Sequence, residues 1–234
     1  MKDPMKYLEK DFLLHADMIN ALRDEDTKTF YSEDDGVLLR KPYIWFMTAS
    51  TAEAATKMAK LINGEGNIVV HQFPYVANVL DIVGEEAYEV LPCRQCCYLG
   101  KEPLPVPETP GYTFRMMRAD ELDFVCKNYS HCGDDVEYMK TRLEKGIIGA
   151  YKDGKCAGFI GEHAEGAIGI LEVLPEYRRQ GLGYALEVMM VNKKVSEGHI
   201  PFDHVIIGND VSMSLQAKIG MTFSDGMVTW LIQK

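Results

Sequence analysis

The chain has 234 residues, 47% of them hydrophobic and 26% charged, and its formal net charge is −10. This composition is typical of a globular protein with one large or two small domains. Both halves are acidic, which disfavours a nucleic-acid-binding protein and weakly favours small or cationic partners. The N-terminus is charged without an apolar segment, and no stretch approaches about 18 apolar residues. The sequence therefore predicts neither a signal peptide nor a membrane span, and a cytoplasmic location is expected.

The first hundred residues predict a small α/β domain. Apolar residues at helical spacing predict helices at 12–22, 51–62 and 75–84. Alternating and β-branched runs predict a hairpin at 29–40, turning at Asp35-Gly36, and strands at 43–50 and 67–73. The glycine-rich turn at 63–67 follows no strand and lacks a Gly-Lys-Ser/Thr sequence, so we interpret it as a turn and not as a phosphate loop.

A proline-rich segment separates the two parts of the chain. Four prolines fall within eight residues, at positions 103, 105, 107 and 110. Proline holds the backbone extended and removes amide donors, which is typical of a linker. We therefore predict an N-terminal accessory domain at 1–100, a linker at 101–110 and a second domain at 111–234.

The second domain alternates strands and helices more regularly. Strands are predicted at 112–117, in a hairpin at 146–163 around Asp153-Gly154, and at 167–174, 202–208 and 228–233. Helices are predicted at 119–129, 134–145, 182–197 and 210–219. Strands mixed with crossover helices predict a layered α/β fold with a mixed sheet.

Cysteine and histidine patterns leave two alternatives, both of which we disfavour. Cys93, Cys96 and Cys97 could bind zinc, but the remaining cysteines offer no second pair, so reduced thiols on a strand or turn are the preferred interpretation. His131 and Cys132, near Asp134, could form a nucleophile pair, but adjacent side chains rarely face each other. No metal is predicted.

The stretch from Leu171 to Glu187 carries the strongest functional signal. Leu182, Leu186, Met189 and Met190 form one apolar helix face, and Gly198 ends that helix. The segment 178–183 is then the turn from a strand into the helix.

The composition of this turn suits an anion. A helix N-terminus presents unpaired amides and partial positive charge. Gly181 and Gly183 let a ligand approach the backbone closely, and Arg178 and Arg179 add charged donors. The sequence therefore predicts a pyrophosphate cradle. A Walker loop is absent, and the dinucleotide fingerprint fails at its third glycine, where Leu186 stands.

The turn resembles the acetyl-coenzyme A signature of the GCN5-related N-acetyltransferases (GNATs), V-x-P-x-[YF]-R-x-x-G-x-[GA]. Residues 173–183, VLPEYRRQGLG, match it at every constrained position. A later family element is also present, with Asn209 leading a helix that ends LQAKIGM, where Met221 replaces the usual aromatic residue. The segment GHIPFDHVIIGND and the late Trp230 resemble the FR47-like, glycine N-acyltransferase-like branch. The resemblance covers residues 111–234, and the first hundred residues resemble an accessory half, with a degenerate second GNAT copy as one interpretation.

This resemblance implies a GNAT fold, acetyl-CoA as co-substrate and direct acyl transfer. The backbone of Leu171 and Val173 would hydrogen-bond the pantetheine of the coenzyme. Asn209 and Ser212 would line its far arm. Arg178 and the amides of the turn would hold the pyrophosphate, the turn comprising Arg179, Gln180, Gly181, Leu182 and Gly183.

The catalytic groups depart from the family pattern. The position of the usual base glutamate is Ala167, and the usual thiolate-protonating tyrosine falls at Gln216. Glu172, beside the expected splay of the strand, is our candidate base, ahead of Glu162 and Glu165. The alternative is that Glu172 is a structural carboxylate paired with an arginine.

The sequence thus predicts an N-acyltransferase that acetylates a primary amine of a small molecule or amino acid. The alternative from another class is a non-catalytic CoA-binding or regulatory module, which the missing base and acid favour. A small-molecule acceptor is the expected partner, without nucleic acid or membrane. Whether the protein forms a homodimer stays open.

Overall fold

A computed structural model describes residues 1–63, 65–129 and 135–234. The chain divides into two compact units, of which unit 1 comprises residues 1–97 and 204–234 and unit 2 comprises residues 98–203. Within these described ranges, none of the helices is long and apolar enough to cross a membrane.

Unit 1 contains most of the strands. Its helices are α1 (Met5–Leu8), α2 (Ala16–Ala21), α3 (Ala52–Ala59), α4 (Val76–Val83) and α8 (Asp210–Ile219). Its strands are β1 (Lys28–Glu33), β2 (Gly36–Lys41), β3 (Ile44–Ala49), β4 (Asn67–His71), β5 (Tyr88–Cys97), β11 (Thr222–Phe223) and β12 (Val228–Gln233). Strand β10 (Phe202–Ile206) crosses the boundary between the units.

The sheet of unit 1 joins both ends of the chain. Its described strands follow the order β1-β2-β3-β4-β12-β5-β10, and β11 also pairs with β5. The pairing of β3 with β4 is parallel, whereas β12 runs antiparallel to both β4 and β5. The last strand of the chain therefore lies in the interior of a sheet whose other strands are largely N-terminal.

Helices α3 and α4 cover the apolar side of this sheet. Thr51 caps α3 by accepting a hydrogen bond from the Ala54 amide at 3.1 Å, which satisfies one of the unpaired amides of the first turn. The core beneath them includes Trp45, Met58, Val79 and Leu231, all fully buried. Burial of such side chains drives folding at about 25 cal/mol per Å² of apolar surface.

A buried polar network lies in the same unit. Asp17 and His71 are completely buried and in contact, with both carboxylate oxygens 2.9 Å from His71 Nε2. His204 Nδ1 accepts a hydrogen bond from Trp230 Nε1 at 3.0 Å, and its Nε2 lies 2.6 Å from Gln95 Oε1. Polar groups buried this deeply are tolerated because each has a partner.

Unit 2 also consists of a sheet and helices. Its strands are β6 (Thr113–Met116), β7 (Ile148–Lys152), β8 (Lys155–Glu162) and β9 (Ile168–Val173), and its helices are α5 (Leu122–Asn128), α6 (Val136–Gly146) and α7 (Leu182–Ser196). The four strands pair antiparallel in chain order. Leu182, Leu186 and Met190 of α7 are buried as predicted, whereas Met189 is only half-buried. Gly198, with φ of 74°, follows the end of α7.

The proline-rich segment is attached to α7. The Leu104 amide donates to Asn192 Oδ1 at 2.6 Å, and Asn192 Nδ2 donates to the Leu104 carbonyl at 2.8 Å. Residues 101–110 form no helix or strand, as predicted for a linker. This pair of bonds ties the segment to one point on the helix.

The two compact units differ from the predicted division into 1–100, 101–110 and 111–234. Residues 204–234 fall in unit 1 with residues 1–97, because β12 completes the ladder between β4 and β5. The compact units therefore do not coincide with the predicted domains, and the division at 100 and 111 stays a prediction. The assignment of the first hundred residues to an accessory domain or a degenerate copy stays a prediction.

Most predicted elements are present with shifted ends. The helix predicted at 12–22 is only α2, and the hairpin turns at Asp34-Asp35 and not at Asp35-Gly36. The three neighbouring cysteines lie buried on β5 as thiols, in line with the preferred interpretation. Residues 64 and 130–134 lie outside the described residues, and with them lie part of the 63–67 turn, the start of the helix predicted at 134–145, and the group His131, Cys132 and Asp134.

Candidate coenzyme site at the start of α7

Strand β9 contains a β-bulge next to the predicted site. Phe159 pairs with Glu172 and Gly161 with Gly169, so β9 has one residue more than β8 between these pairs. Ile170, with φ of 50°, adopts a left-handed conformation that a β-branched residue rarely accepts. Its side chain is buried in the core of unit 2, and that packing offsets the strain. A bulge leaves backbone groups unpaired, which suits the predicted contact of Leu171 with a ligand.

The edge of β9 is not covered by a further strand of its sheet. Among the described strands β9 pairs only with β8, and β10 belongs to the other sheet. Gly158 of β8 permits the close approach of the end of β9, because a Cβ there would lie 2.6 Å from the Glu172 carbonyl oxygen. Val173 is half-buried, and among the described residues β8 is the only strand that pairs with it.

A tight turn connects β9 to α7. Pro175–Tyr177 form a single turn of 3-10 helix, closed by a hydrogen bond from the Tyr177 amide to the Leu174 carbonyl at 2.9 Å. Arg179 and Gly181 both have positive φ, at 63° and 82°. Left-handed residues in such a turn direct successive amides toward a common point, and such concave sets of amides bind anions.

The two glycines of the turn serve different purposes. Gly181 precedes α7 in a left-handed conformation that other residues rarely adopt. Gly183 lies inside the first turn of α7, where a Cβ would meet only Val173 Cγ2, at 3.9 Å. The fold itself therefore does not require glycine at 183. With no side chain at 183, the first amides of α7 are less covered, as the predicted anion site requires.

Gln180 is held by neighbouring residues of the turn. Its Oε1 accepts a hydrogen bond from the Tyr112 hydroxyl at 2.6 Å, and its Nε2 donates to the Glu176 carbonyl at 3.4 Å. The Tyr112 ring lies edge-on to Tyr177, with 6.4 Å between ring centroids. These contacts hold the side chain of Gln180, and the residue is exposed.

Arg178 contacts the end of β9. Its Nε donates to the Val173 carbonyl at 2.8 Å, and its Nη2 donates to Glu172 Oε1 at 3.2 Å. The Glu172 side chain is 17% exposed and that of Arg178 is 56% exposed. The structure thus brings the candidate base together with one of the predicted phosphate-binding arginines.

The two other candidate carboxylates have different surroundings. Glu162 forms a buried ion pair with Lys194, with 2.7 Å between Oε2 and Nζ. Burial raises the pKa of Glu162, but the charge and hydrogen bond of Lys194 outweigh it and hold that pKa below its ordinary value. Glu165 is buried and acts on two tyrosines, raising the pKa of Tyr129 and of Tyr138 in addition to the larger effect of burial.

Tyr129, which the sequence did not single out, lies among acidic groups. Burial raises its pKa to about 12, and the negative charges of Glu165, Asp203 and Glu172 contribute in that order. A hydrogen bond from the backbone of Ile170 opposes the rise. The signal that could have revealed this position is only a tyrosine at the end of a predicted helix, which is too common to be informative.

Asn209 and Ser212 lie in unit 1, at the N-terminus of α8. Asn209 Oδ1 accepts a hydrogen bond from the Ser212 amide at 3.1 Å, so the pair forms the cap of the helix. Gln216, at the position of the missing tyrosine, is buried on the same helix. Ala167 is buried as well. The predicted contact of Asn209 and Ser212 with the coenzyme stays a prediction.

Comparison with known proteins gives a family match for part of the chain and a fold. Residues 146–231 match the family model of FR47-like proteins. This part of the chain is therefore similar to FR47-like proteins. This stretch contains the strand, turn and helix described above. No curated protein matches the chain.

Several solved structures, two of them GNAT proteins, resemble most of the chain. A putative acetyltransferase of the GNAT family from Novosphingobium aromaticivorans is 19% identical, with a TM-score of 0.58 over 94% of this chain and 98% of that one. A GCN5-related N-acetyltransferase from Kribbella flavida is 15% identical, with a TM-score of 0.59 over 95% and 94%. A Drosophila protein is 17% identical, with a TM-score of 0.68 over 85% and 73%. The predicted mixed α/β GNAT fold is therefore confirmed.

Among the described residues, no group of three or more histidine, cysteine or acidic side chains could hold a metal ion.

Proposed function

We propose that the protein is an N-acyltransferase that moves the acetyl group of acetyl-CoA to a primary amine of a small molecule or amino acid. The observation that carries the proposal is the turn at 178–183, where a left-handed Gly181 and a Gly183 that the fold does not require leave the first amides of α7 open to a pyrophosphate. The bulged strand β9 supports it, since the ladder with β8 leaves Leu171 without a partner residue beside that turn.

In this proposal the chain binds the donor mainly through its backbone. The amides of residues 179–183 hold the pyrophosphate, and the backbone of Leu171 and Val173 orients the pantetheine. Acetyl-CoA supplies an acyl group that is activated as a thioester. The protein need only orient it against the amine, and orientation of this kind contributes much of the rate in bimolecular reactions.

The acceptor must lose a proton before it reacts. With a pKa near 10.4, only about one amine in 2,500 is neutral at pH 7, a deficit of about 4.6 kcal/mol. The Glu172 carboxylate takes one proton from the ammonium group. The amine nitrogen then bonds to the acetyl carbonyl carbon while the carbon–sulfur bond breaks. The second amine proton ends on the sulfur as the thiol, and Glu172 returns its proton to solvent.

Negative charge near Tyr129 supports a cationic acceptor. Glu165, Glu172 and Asp203 all act on the Tyr129 hydroxyl, which stays protonated at neutral pH because its pKa is raised to about 12. The ammonium group of an acceptor is stabilised by such surroundings. A carboxylate of an acceptor placed at the same point would be repelled. This favours amines over acidic acceptors.

A screen for release of the CoA thiol over a panel of amines and amino acids tests the proposal. We expect steady thiol release with at least one amine. A second candidate function, a non-catalytic CoA-binding or regulatory module, is favoured by Ala167 and Gln216, which stand where the family has its base and acid. Tight CoA binding without thiol release from any amine in the panel would favour that module.

A further inference from the structure

The guanidinium of Arg178 is engaged by the strand that precedes the turn. Nε donates to the Val173 carbonyl at 2.8 Å and Nη2 to Glu172 Oε1 at 3.2 Å, so one planar group binds two consecutive residues of β9. These contacts reach back five and six residues along the chain. The forked geometry of a guanidinium fixes the direction of both partners, which an ammonium group could not do.

The neighbouring Arg179 has no comparable contact. Its side chain is exposed and its backbone is left-handed, with φ of 63°. Within the part of the chain that the structure describes, no hydrogen bond or ion pair engages that side chain. Arg178 could bind a phosphate only by giving up its contacts with β9, whereas Arg179 could bind one without losing any contact.

The pairing also orients Glu172. Its carboxylate is mostly buried, so removal of Arg178 would leave a poorly solvated negative charge. Oε1 faces Arg178, and among the described residues no hydrogen bond engages Oε2. A proton taken from an amine would therefore be accepted by Oε2 while Oε1 stays bound.

From these contacts we infer that Arg178 is a positioning residue for Glu172 and not a ligand of the pyrophosphate, and that Arg179 provides the side-chain charge for the phosphates. The inference rests on the proposed function, with Glu172 as base. Arg178 then contributes to the chemical step and Arg179 to binding of the coenzyme.

Two matched variants, Arg178→Gln and Arg179→Gln, test it. Isothermal titration with CoA needs no activity, and we expect the Kd of Arg178→Gln to stay within about threefold of the wild type, whereas Arg179→Gln weakens CoA by at least about tenfold, the effect of one charged hydrogen bond. In turnover with the amine that the screen identifies, Arg178→Gln should lower kcat by about 10- to 100-fold.

A shortened donor separates the two roles further. S-acetylpantetheine has no pyrophosphate, so the loss in kcat/KM caused by Arg179→Gln should disappear with it, whereas the loss in kcat caused by Arg178→Gln should persist. The double variant Glu172→Gln/Arg178→Gln should be no slower than Glu172→Gln alone, because both changes remove the same group from action.

A tenfold or larger loss of CoA affinity in Arg178→Gln with unchanged kcat would overturn the inference, and so would additive losses in the double variant. Far-UV circular dichroism checks folding. If Arg178→Gln does not fold, Arg178→Lys keeps the charge without the fork, and it should lower kcat while CoA affinity is retained. A wild type that releases no thiol refutes the proposed function, whereas the CoA titrations decide the role of Arg178 independently.

Discussion

Three carboxylates near β9 differ in their ability to accept a proton. Glu162 is committed to Lys194 in a buried ion pair, and loss of either partner would leave an uncompensated charge. Glu165 is almost completely buried. Glu172 is partly exposed and has one oxygen oriented by Arg178. The surroundings of these three residues therefore favour Glu172 as the base. The same ion pair with Arg178 is also what the alternative interpretation, a structural carboxylate paired with an arginine, predicts.

Replacement of the base should affect turnover and spare binding. We expect Glu172→Gln, which keeps the size and removes the charge, to lower turnover near pH 7 by about 10² to 10⁴. Acetyl-CoA affinity should change little, and the loss should shrink at high pH, where the amine loses its proton unaided. Steady-state rates from pH 7 to 10 measure this. Full turnover of the variant at pH 7 would make Glu172 a structural residue.

Gly183 offers a clean test of the cradle. A Cβ at this position meets only Val173 Cγ2, at 3.9 Å, and alanine is a better helix former than glycine by about 1 kcal/mol. We expect Gly183→Ala to fold and bind CoA, as the family motif allows, and Gly183→Val to fold but bind at least tenfold more weakly. CoA titration and circular dichroism of both variants check this. Gly181 is less suitable, because its φ of 82° would strain any replacement.

Equal CoA affinity in Gly183→Val and wild type would place the phosphates elsewhere. An unchanged CoA affinity in Gly183→Ala is expected in either case, because a methyl group leaves room for the ligand. The pair of variants thus separates the volume of the side chain from any change in helix stability.

At the scale of elements, local patterns predicted most of the helices and strands, but they missed β5. Period-2 and period-3.6 spacing gave β3, β4, β7, β8, α4, α6 and α7 with ends shifted by a few residues. The bulge in β9 was not predictable, because Ile170 is a strand-forming residue whose left-handed backbone is imposed by its packing in the core. The position of β12 was not predictable either, since pairing between distant strands leaves no local pattern.

The cradle was predictable because the sequence of the turn itself specifies it. Its glycines and the adjacent helix face lie within a short segment whose geometry depends on local backbone preferences. The surroundings of Tyr129 depend on burial and on the charges of Glu165 and Asp203, which are distant in the chain, so the local sequence does not reveal them. This is why the geometry of the turn could be predicted from the sequence and the surroundings of Tyr129 could not.

The interior position of β12 predicts that the C-terminus stabilises unit 1. Leu231 is fully buried in the core beneath α3 and α4. We expect Leu231→Ala to lower the free energy of unfolding by about 2–5 kcal/mol, as large-to-small substitutions in cores do. Ile232→Ala, on the opposite face of the same strand and only half-buried, is the matched control and should cost clearly less. Urea unfolding measures both, and similar small losses would show that β12 is peripheral.

For the molecule as a whole, the buried histidines of unit 1 predict instability in mild acid. Burial lowers the pKa of His204 to about 4, and burial together with the charge of His71 lowers the pKa of His15 to about 4. In the unfolded chain histidine titrates near 6.5. The unfolded state therefore binds more protons between about pH 6.5 and 4, so stability is full above that window and falls as the pH is lowered through it.

By pH 5, each of the two histidines should lower the free energy of unfolding by roughly 2 kcal/mol. Protonation of His204 Nδ1 would also remove the acceptor of the Trp230 hydrogen bond. Urea unfolding at pH 7.5, 6, 5 and 4.5 measures the change, and His204→Gln, which cannot titrate, should flatten part of it. A free energy of unfolding that stays constant from pH 7 to 5 would contradict these buried neutral histidines.

The central claim is that the turn at 178–183 makes this chain an acetyl-CoA-binding protein, and a comparison of melting temperatures tests it most directly. A ligand present at 100 times its Kd adds about 2.7 kcal/mol to the stability of the folded state. We predict that acetyl-CoA raises the melting temperature by several degrees, and that NAD and ATP at equal concentration raise it less. No shift with millimolar acetyl-CoA, together with a clear shift with NAD or ATP, would contradict the account.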